Sequence, residues 1–310
     1  MGMPVVYASI IFVMILWGFN VIAIKVIVEQ FAPVTITSLR ILLAAIVVWI
    51  ILWKQKHIRL PKHKEILYVF LAALTGVLSH HFFLSVGLTK TTASSTGVIL
   101  GTVPLATSIL AAILLKERLT VLRISGLILG LIGVSIVVHA GNSGQMSVNL
   151  GDIYIFLAVL SQALSFIYIK RASETMRASL ITGLILLIGA ILLFITSLIM
   201  EPVGLSSLKN GTVIGWGAFL ASGILATGVG HFLYNYAIQY VGAGKTSIFL
   251  NMTPFFALTG SYLFLNEMIK IEQILAFLII VISVILGSGL GDKYVKKKRG
   301  LSEVRVKKTQ

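Results

Sequence analysis

Three residue types that are rare inside apolar segments recur in this chain in fixed register. His81, Pro104 and Glu117 match His231, Pro254 and Glu267 at a constant separation of 150 residues. Each type brings distinct chemistry. An imidazole titrates near neutrality and can carry a proton or a hydrogen bond. A proline inside a helix removes an N–H and frees the carbonyl four residues back, here at Leu100 and Leu250, which makes Pro104 and Pro254 hinge candidates. Glu117 and Glu267 close their apolar runs. A carboxylate at a helix C-terminus opposes the dipole, so a structural role is expected for both, compensated by Lys116, Arg118 or the N-terminus of a facing helix.

Polar pairs accompany the repeat. His81 and Ser85 are four apart and share a helix face, as do His231 and Asn235. Trp17 with Asn20, and Gln162 with Ser165, are three apart and align at a shift of 145. Together with Arg40, which lies two turns inside the second apolar run, these residues are the expected substrate-binding positions. Two alternatives stand beside that reading. The pairs could serve only as interhelical hydrogen bonds, and Arg40 could snorkel outward. His80 is turned about 100° from His81, so only one of the two is expected to line a common site.

The elements that carry these residues follow from composition. The chain has 310 residues, 57% hydrophobic and 11% charged, with a mean hydropathy of +1.01. That charge would not cover a soluble globule of this size. Apolar runs of bilayer length recur at roughly 4–28, 33–53, 66–88, 92–115, 120–139, 150–169, 178–200, 212–238, 243–265 and 270–290. The expected fold is an all-α membrane protein of ten transmembrane helices in two inverted five-helix repeats, at 1–141 and 150–290, with a basic tail at 291–310. An odd number of spans per repeat makes the second copy enter the membrane from the opposite side, an architecture common among secondary transporters. Twenty of the 25 Lys and Arg fall on the side that holds both termini, which places the termini in the cytoplasm.

Several classes are disfavoured. The net charge of +15 is spread over loops and the tail, which reads as positive-inside topology and lipid contact rather than nucleic-acid binding. With no cysteine there is no thiolate metal site or disulfide, and no cofactor is expected. The tetrapeptide "GNSG" at 141–144 fits the pattern around an intramembrane serine nucleophile, but Ser143 lies in a polar linker. A hydrolase is therefore only a remote alternative. The stripe Gly126, Gly130 and Gly133 reads as packing within a monomer, with dimerisation left open. No acid lies in mid-span, which favours neutral, zwitterionic or anionic solutes over cations.

The segments "LWGFNVIAIKVIVEQFAPVTITSLRILLAA", "GLTKTTASSTGVILGTVPLATSILAAILLKERLTVLRISGLILGLIGVSIVV" and "AIQYVGAGKTSIFLNMTPFFALTGSYLFLNEMIKIEQILAFLIIVISVILG" resemble the EamA-like branch of the drug/metabolite transporter superfamily. The resemblance covers nearly the whole chain. It implies ten helices around a central cavity and small-molecule solutes such as amino acids and other small metabolites, often exported. The prolines at matching depth in two inverted halves suggest alternating access, and a plasma-membrane location is expected. Export of an amino acid or related metabolite is the first expectation, and a carrier of lipophilic drugs or lipids is the alternative. Arg40 has no partner in the second repeat, where Ile185 aligns.

Overall fold

The computed structural model describes residues 3–55, 58–114, 121–141, 149–241 and 248–287. Among these residues every regular element is helical. We number the elements α1 (Met3–Gln30), α2 (Pro33–Gln55), α3 (His63–Leu88), α4 (93–114), α5 (Val121–Gly141), α6 (Leu150–Ala172), α7 (Ala178–Met200), α8 (213–241), α9 (248–265) and α10 (Ile271–Gly287). Six of them (α1, α2, α3, α6, α7 and α8) are long and apolar enough to cross a membrane. At about 1.5 Å per residue, the 23 residues of α2 reach about 35 Å, more than the ~30 Å hydrocarbon core. Shorter apolar runs occupy α4, α9 and α10. The chain is a multi-pass membrane protein.

Helix starts are fixed by local capping. The side chains of Thr92, Asn149 and Thr212 accept from Ser95 N, Gly151 N and Gly215 N, satisfying donors that the first turn cannot. Before α3, the Glu65 carboxylate reaches back to Lys62 N and also takes Arg59 in two 2.8 Å hydrogen bonds. Arg59 bridges onward to Thr175 O, and its bond to Glu65 raises the guanidinium above its usual range.

Two helices change winding at matching places. In α3 the turn Leu74–Ser79 is π-helical, and in α8 Ala221–Val229 is. His80 N bonds Thr75 O and Gly230 N bonds Leu225 O, a five-residue step that recurs at a shift of 150. Such turns insert extra backbone and leave carbonyls in need of donors. Ser79 Oγ donates to Leu74 O at 2.9 Å, and Trp17 Nε1 donates to Ala226 O at 2.8 Å.

Two further helices are interrupted. In α4 the piece Ala93–Leu100 ends in a turn at 101–102 before Val103–Leu114 resumes. In α9 a 3₁₀ turn, Ile248–Met252, leads into Thr253–Leu265. Pro104 and Pro254 are each the second residue of the resumed helix, not interior residues of a continuous one. At that position a missing N–H costs little, because the first turn has no acceptor for it anyway. The discontinuity therefore belongs to Gly101–Thr102 and to the 3₁₀ turn, with each proline marking where the helix restarts.

Packing exchanges partners between the chain's two parts. α2 lies along α7 and α5 along α10. α3 and α4 pack on α6, while α8 and α9 pack on α1. The two parts thus interlock, and buried clusters draw on both. One joins Val21, Leu84, Val98, Ile155, Ala257 and Ile280. Small residues permit this closeness, since van der Waals fit rather than water exclusion drives helix association in lipid. Gly130 faces Leu105 and Gly133 faces Ile280, so this stripe packs inside the chain.

Candidate functional site

The helix breaks and the π turn of α8 converge on one central cavity of about 100 Å³, which α3 meets immediately after its own π turn. α1 contributes Trp17, Asn20, Val21 and Ile24, and α3 contributes His80, His81 and Leu84. Leu100 and Val103 flank the break in α4, while in α9 Leu250 lies within the 3₁₀ turn and Thr253 follows it. Gln162 and Phe166 of α6, with Ala226, Thr227 and His231 of α8, complete the wall. The discontinuous helices therefore meet the cavity at their interruptions, where unpaired backbone is tolerated because it borders a cavity.

A smaller cavity of about 20 Å³ adjoins it, sharing Gln162 and His231 and adding Ser165, Thr182, Ile185 and Asn235. Of the residues singled out by sequence, Trp17, Asn20, His81, Gln162 and His231 line the larger cavity; Ser165 and Asn235 line the smaller one. For the last two, interhelical hydrogen bonding is realised as well. Ser165 Oγ donates to Ala72 O at 3.1 Å, and Asn235 Nδ2 donates to Thr182 Oγ1 at 2.6 Å.

Two expectations need correction. Ser85 lines neither cavity; its hydroxyl donates to Phe82 O at 3.1 Å. At that height α3 packs against α1, α2 and α6, which closes the face it shares with His81. His80 and His81, expected to diverge, both border the larger cavity. The cavity wraps round α3 far enough to meet side chains 100° apart. His80 Nδ1–H donates to Ala158 O at 2.9 Å, and the two imidazoles lie edge to face at 4.8 Å.

Arg40 does not snorkel. It is 1% exposed and sits directly behind the cavity wall. Its Nη1 donates to Ser222 Oγ at 3.1 Å and Thr227 Oγ1 at 2.7 Å, and its Nη2 donates to His81 Nδ1 at 3.3 Å. Ser222 in turn donates to Asn20 Oδ1. The arginine thus links α2 to the π turn of α8, to α3 and, through Ser222, to α1. Ser222 and Thr227 were not among the candidates read from sequence. The available signal was two hydroxyls inside an apolar run, and hydroxyls are easily passed over there because they can bond their own helix.

Trp17 is held from two sides. Besides its bond to Ala226 O, its ring lies 5.0 Å from His231 and 4.9 Å from Tyr234. Such offset contacts fix the indole as a rigid, flat wall.

Away from the cavity, the α3–α4 hairpin tip is clasped by three neighbours. Lys25 Nζ donates to Leu88 O (2.8 Å) and Thr91 O (3.1 Å). Thr91 Oγ1 donates to Asp152 Oδ1 (2.6 Å), and Asn149 Nδ2 to Lys90 O (2.8 Å). Glu267 receives Ala93 N and Ser94 N, both at 2.9 Å, and the Ser94 hydroxyl. A carboxylate at a helix N-terminus is favoured by the dipole, and hydrogen bonds to a charged group contribute roughly 1.5–3 kcal/mol each. Glu201 makes the same arrangement at α2, receiving Val34 N at 3.0 Å and Thr35 N at 2.7 Å. Glu117, its flanking cations and Ser143 lie outside the described residues. No cluster of metal-ligating side chains occurs among the described residues.

The model of the EamA-like transporter family matches residues 5–139 and again 149–289. The chain is 29% identical to a Bacillus subtilis protein named as the uncharacterized transporter YyaM, over 86% of this chain and 88% of that one. It is 26% identical to the WAT1-related protein At3g02690, chloroplastic, of Arabidopsis thaliana, over 87% of this chain and 66% of that one. One solved crystal structure resembles it with a TM-score of 0.68 at 17% identity, over 92% of this chain and 97% of the other, a likeness of fold alone. With a family match across both parts of the sequence, the chain belongs to the EamA-like transporter family.

Proposed function

We propose that the protein is a secondary-active carrier that exports a small polar metabolite, such as an amino acid or a related compound, by alternating access. It would cross the plasma membrane ten times in two inverted five-helix repeats, with both termini in the cytoplasm. The observation that carries this reading is the central cavity. It lies where two interrupted helices meet the π turn of α8 and the residues that follow the π turn of α3. The five-residue step and the helix restarts at Val103 and Thr253 recur at the same shift as the histidines. An inverted pair of discontinuous helices around a midplane site is how carriers expose one site to each side in turn. The clasped α3–α4 tip supports the same reading, because the topology from the cation count puts residues 88–94 on the outer face. The cavity would then be shut on that side by interactions that must be released.

Comparing metabolites in cells that lack the protein with cells that overproduce it tests the proposal. A polar metabolite of low mass should accumulate inside the first and outside the second. Indistinguishable profiles under conditions where the protein is made would remove export. A difference confined to hydrophobic compounds would favour a lipophilic-solute carrier.

A further inference from the structure

Arg40 is a buried cation whose hydrogen bonds, among the described residues, go only to neutral groups. The acids of the described residues lie at helix ends, and none forms an ion pair with Arg40. A buried charge is costly unless opposite charge or strong hydrogen bonding compensates it. The three partners compensate partly, and two of them, His81 and Thr227, face the cavity.

The bond between Arg40 and His81 fixes the imidazole. A guanidinium can only donate, so His81 Nδ1 is the acceptor and the ring proton resides on Nε2. That Nε2–H is buried and has no hydrogen-bond partner among the described residues. His81 itself is 4% exposed and lines the cavity. An unmet buried donor costs about 1–3 kcal/mol, so this one calls for an acceptor. His80 does not supply it: with Nδ1–H donated to Ala158 O, its Nε2 is an acceptor, but the two rings meet edge to face and no hydrogen bond joins them.

We infer that the cavity recognises its solute through a carboxylate, with His81 Nε2–H as the donor and Arg40 as the residue that fixes this donor and supplies the balancing charge. This rests on the carrier reading above and narrows it from polar solutes in general to those bearing an oxyanion. Arg40 is a positioning residue here: it lies behind the wall and acts through His81 and through the positive potential it lends the cavity. Ser222, polarised between Arg40 and Asn20, extends that potential to the α1 side. A cavity of about 100 Å³ suits a few heavy atoms, since about 150 Å³ accommodates benzene.

The test uses the full chain in lipid nanodiscs, with Trp49, Trp53 and Trp216 changed to phenylalanine so that Trp17 is the sole indole. Butyrate and butyramide are the probes, alike in shape and different in charge. Butyrate should change Trp17 fluorescence saturably, and butyramide should need at least tenfold higher concentration. His81→Asn keeps an acceptor for Arg40 but loses the outer N–H, and should weaken butyrate at least tenfold. His81→Gln restores an N–H near the Nε2 position and should recover part of that loss. Arg40→Gln should erase the preference for acid over amide. Equal affinity for the two probes, no saturable response to butyrate, or undiminished binding in His81→Asn would overturn the inference. Where Arg40→Gln fails to fold, the probe pair and the two His81 variants decide alone. Equal binding of both probes by a protein that still exports a metabolite would sink the carboxylate and leave the carrier intact. Loss of metabolite export with selective butyrate binding would do the reverse.

Discussion

Joining the α3–α4 tip to α6 through Lys90→Cys with Asn149→Cys should abolish transport under oxidising conditions, and a reductant should restore it. The chain has no native cysteine, so a disulfide can form only between the introduced pair. Asn149 already donates to Lys90 O at 2.8 Å, and a Cβ at Gly151 would meet Lys90 C at 2.7 Å, so the two backbones are close. If solute reaches the cavity from the outer face only when the tip leaves Lys25, Asp152 and Glu267, a covalent tie freezes the clasp that hydrogen bonds hold reversibly. Each of those bonds is worth only a few kcal/mol at most, within the range that a population shift can overcome. Transport that persists in the fully cross-linked protein would place the moving gate elsewhere.

The second large effect concerns the solute's route. Gln162 borders both the larger and the smaller cavity, and its repeat partner at a shift of 145 is Trp17. Gln162→Trp would make the two walls alike and fill most of a space of about 100 Å³. Transport should fall at least tenfold. Overpacking typically costs about 1–3 kcal/mol, so the protein should remain folded in detergent, with a lowered but cooperative thermal transition. Measured initial rates equal to the unsubstituted protein's would mean that solute does not pass between α6 and α8.

What could be read from sequence depended on whether a feature is written in residue type. Membrane character, the recurrence of His, Pro and Glu, and the polar positions facing the cavity all rest on side-chain chemistry that is costly in an apolar setting, and so stands out. The π turns do not. Leu74–Ser79 and Ala221–Val229 differ from ordinary helix by one hydrogen-bond step, and the Thr-Gly-Val that each contains sits two residues out of the repeat's register. The partners of Arg40 were hidden for a related reason, because Ser222 and Thr227 are weakly polar and common in membrane helices. Their roles emerge only when α2 is laid against the π turn of α8. Helical periodicity also misplaced His80 and Ser85, since face-sharing says which residues point together and not where neighbours leave a space. Glu267 was the opposite case. The conflict of a carboxylate with its own helix end required a facing N-terminus as one solution, and Ala93 and Ser94 provide it.

The most direct test of a central cavity opened to each side in turn is the reactivity of Thr253→Cys. Thr253 lines the cavity beside the break in α9, and the substitution is close to isosteric. In sealed vesicles of uniform orientation, a small charged thiol reagent should modify this cysteine when added to either side. In a protein that also carries the oxidised pair at positions 90 and 149, modification from the outer side should cease while that from the inner side continues. A cysteine that stays unmodified from both sides in a transporting protein, or that reacts from the outer side despite the cross-link, would contradict the account.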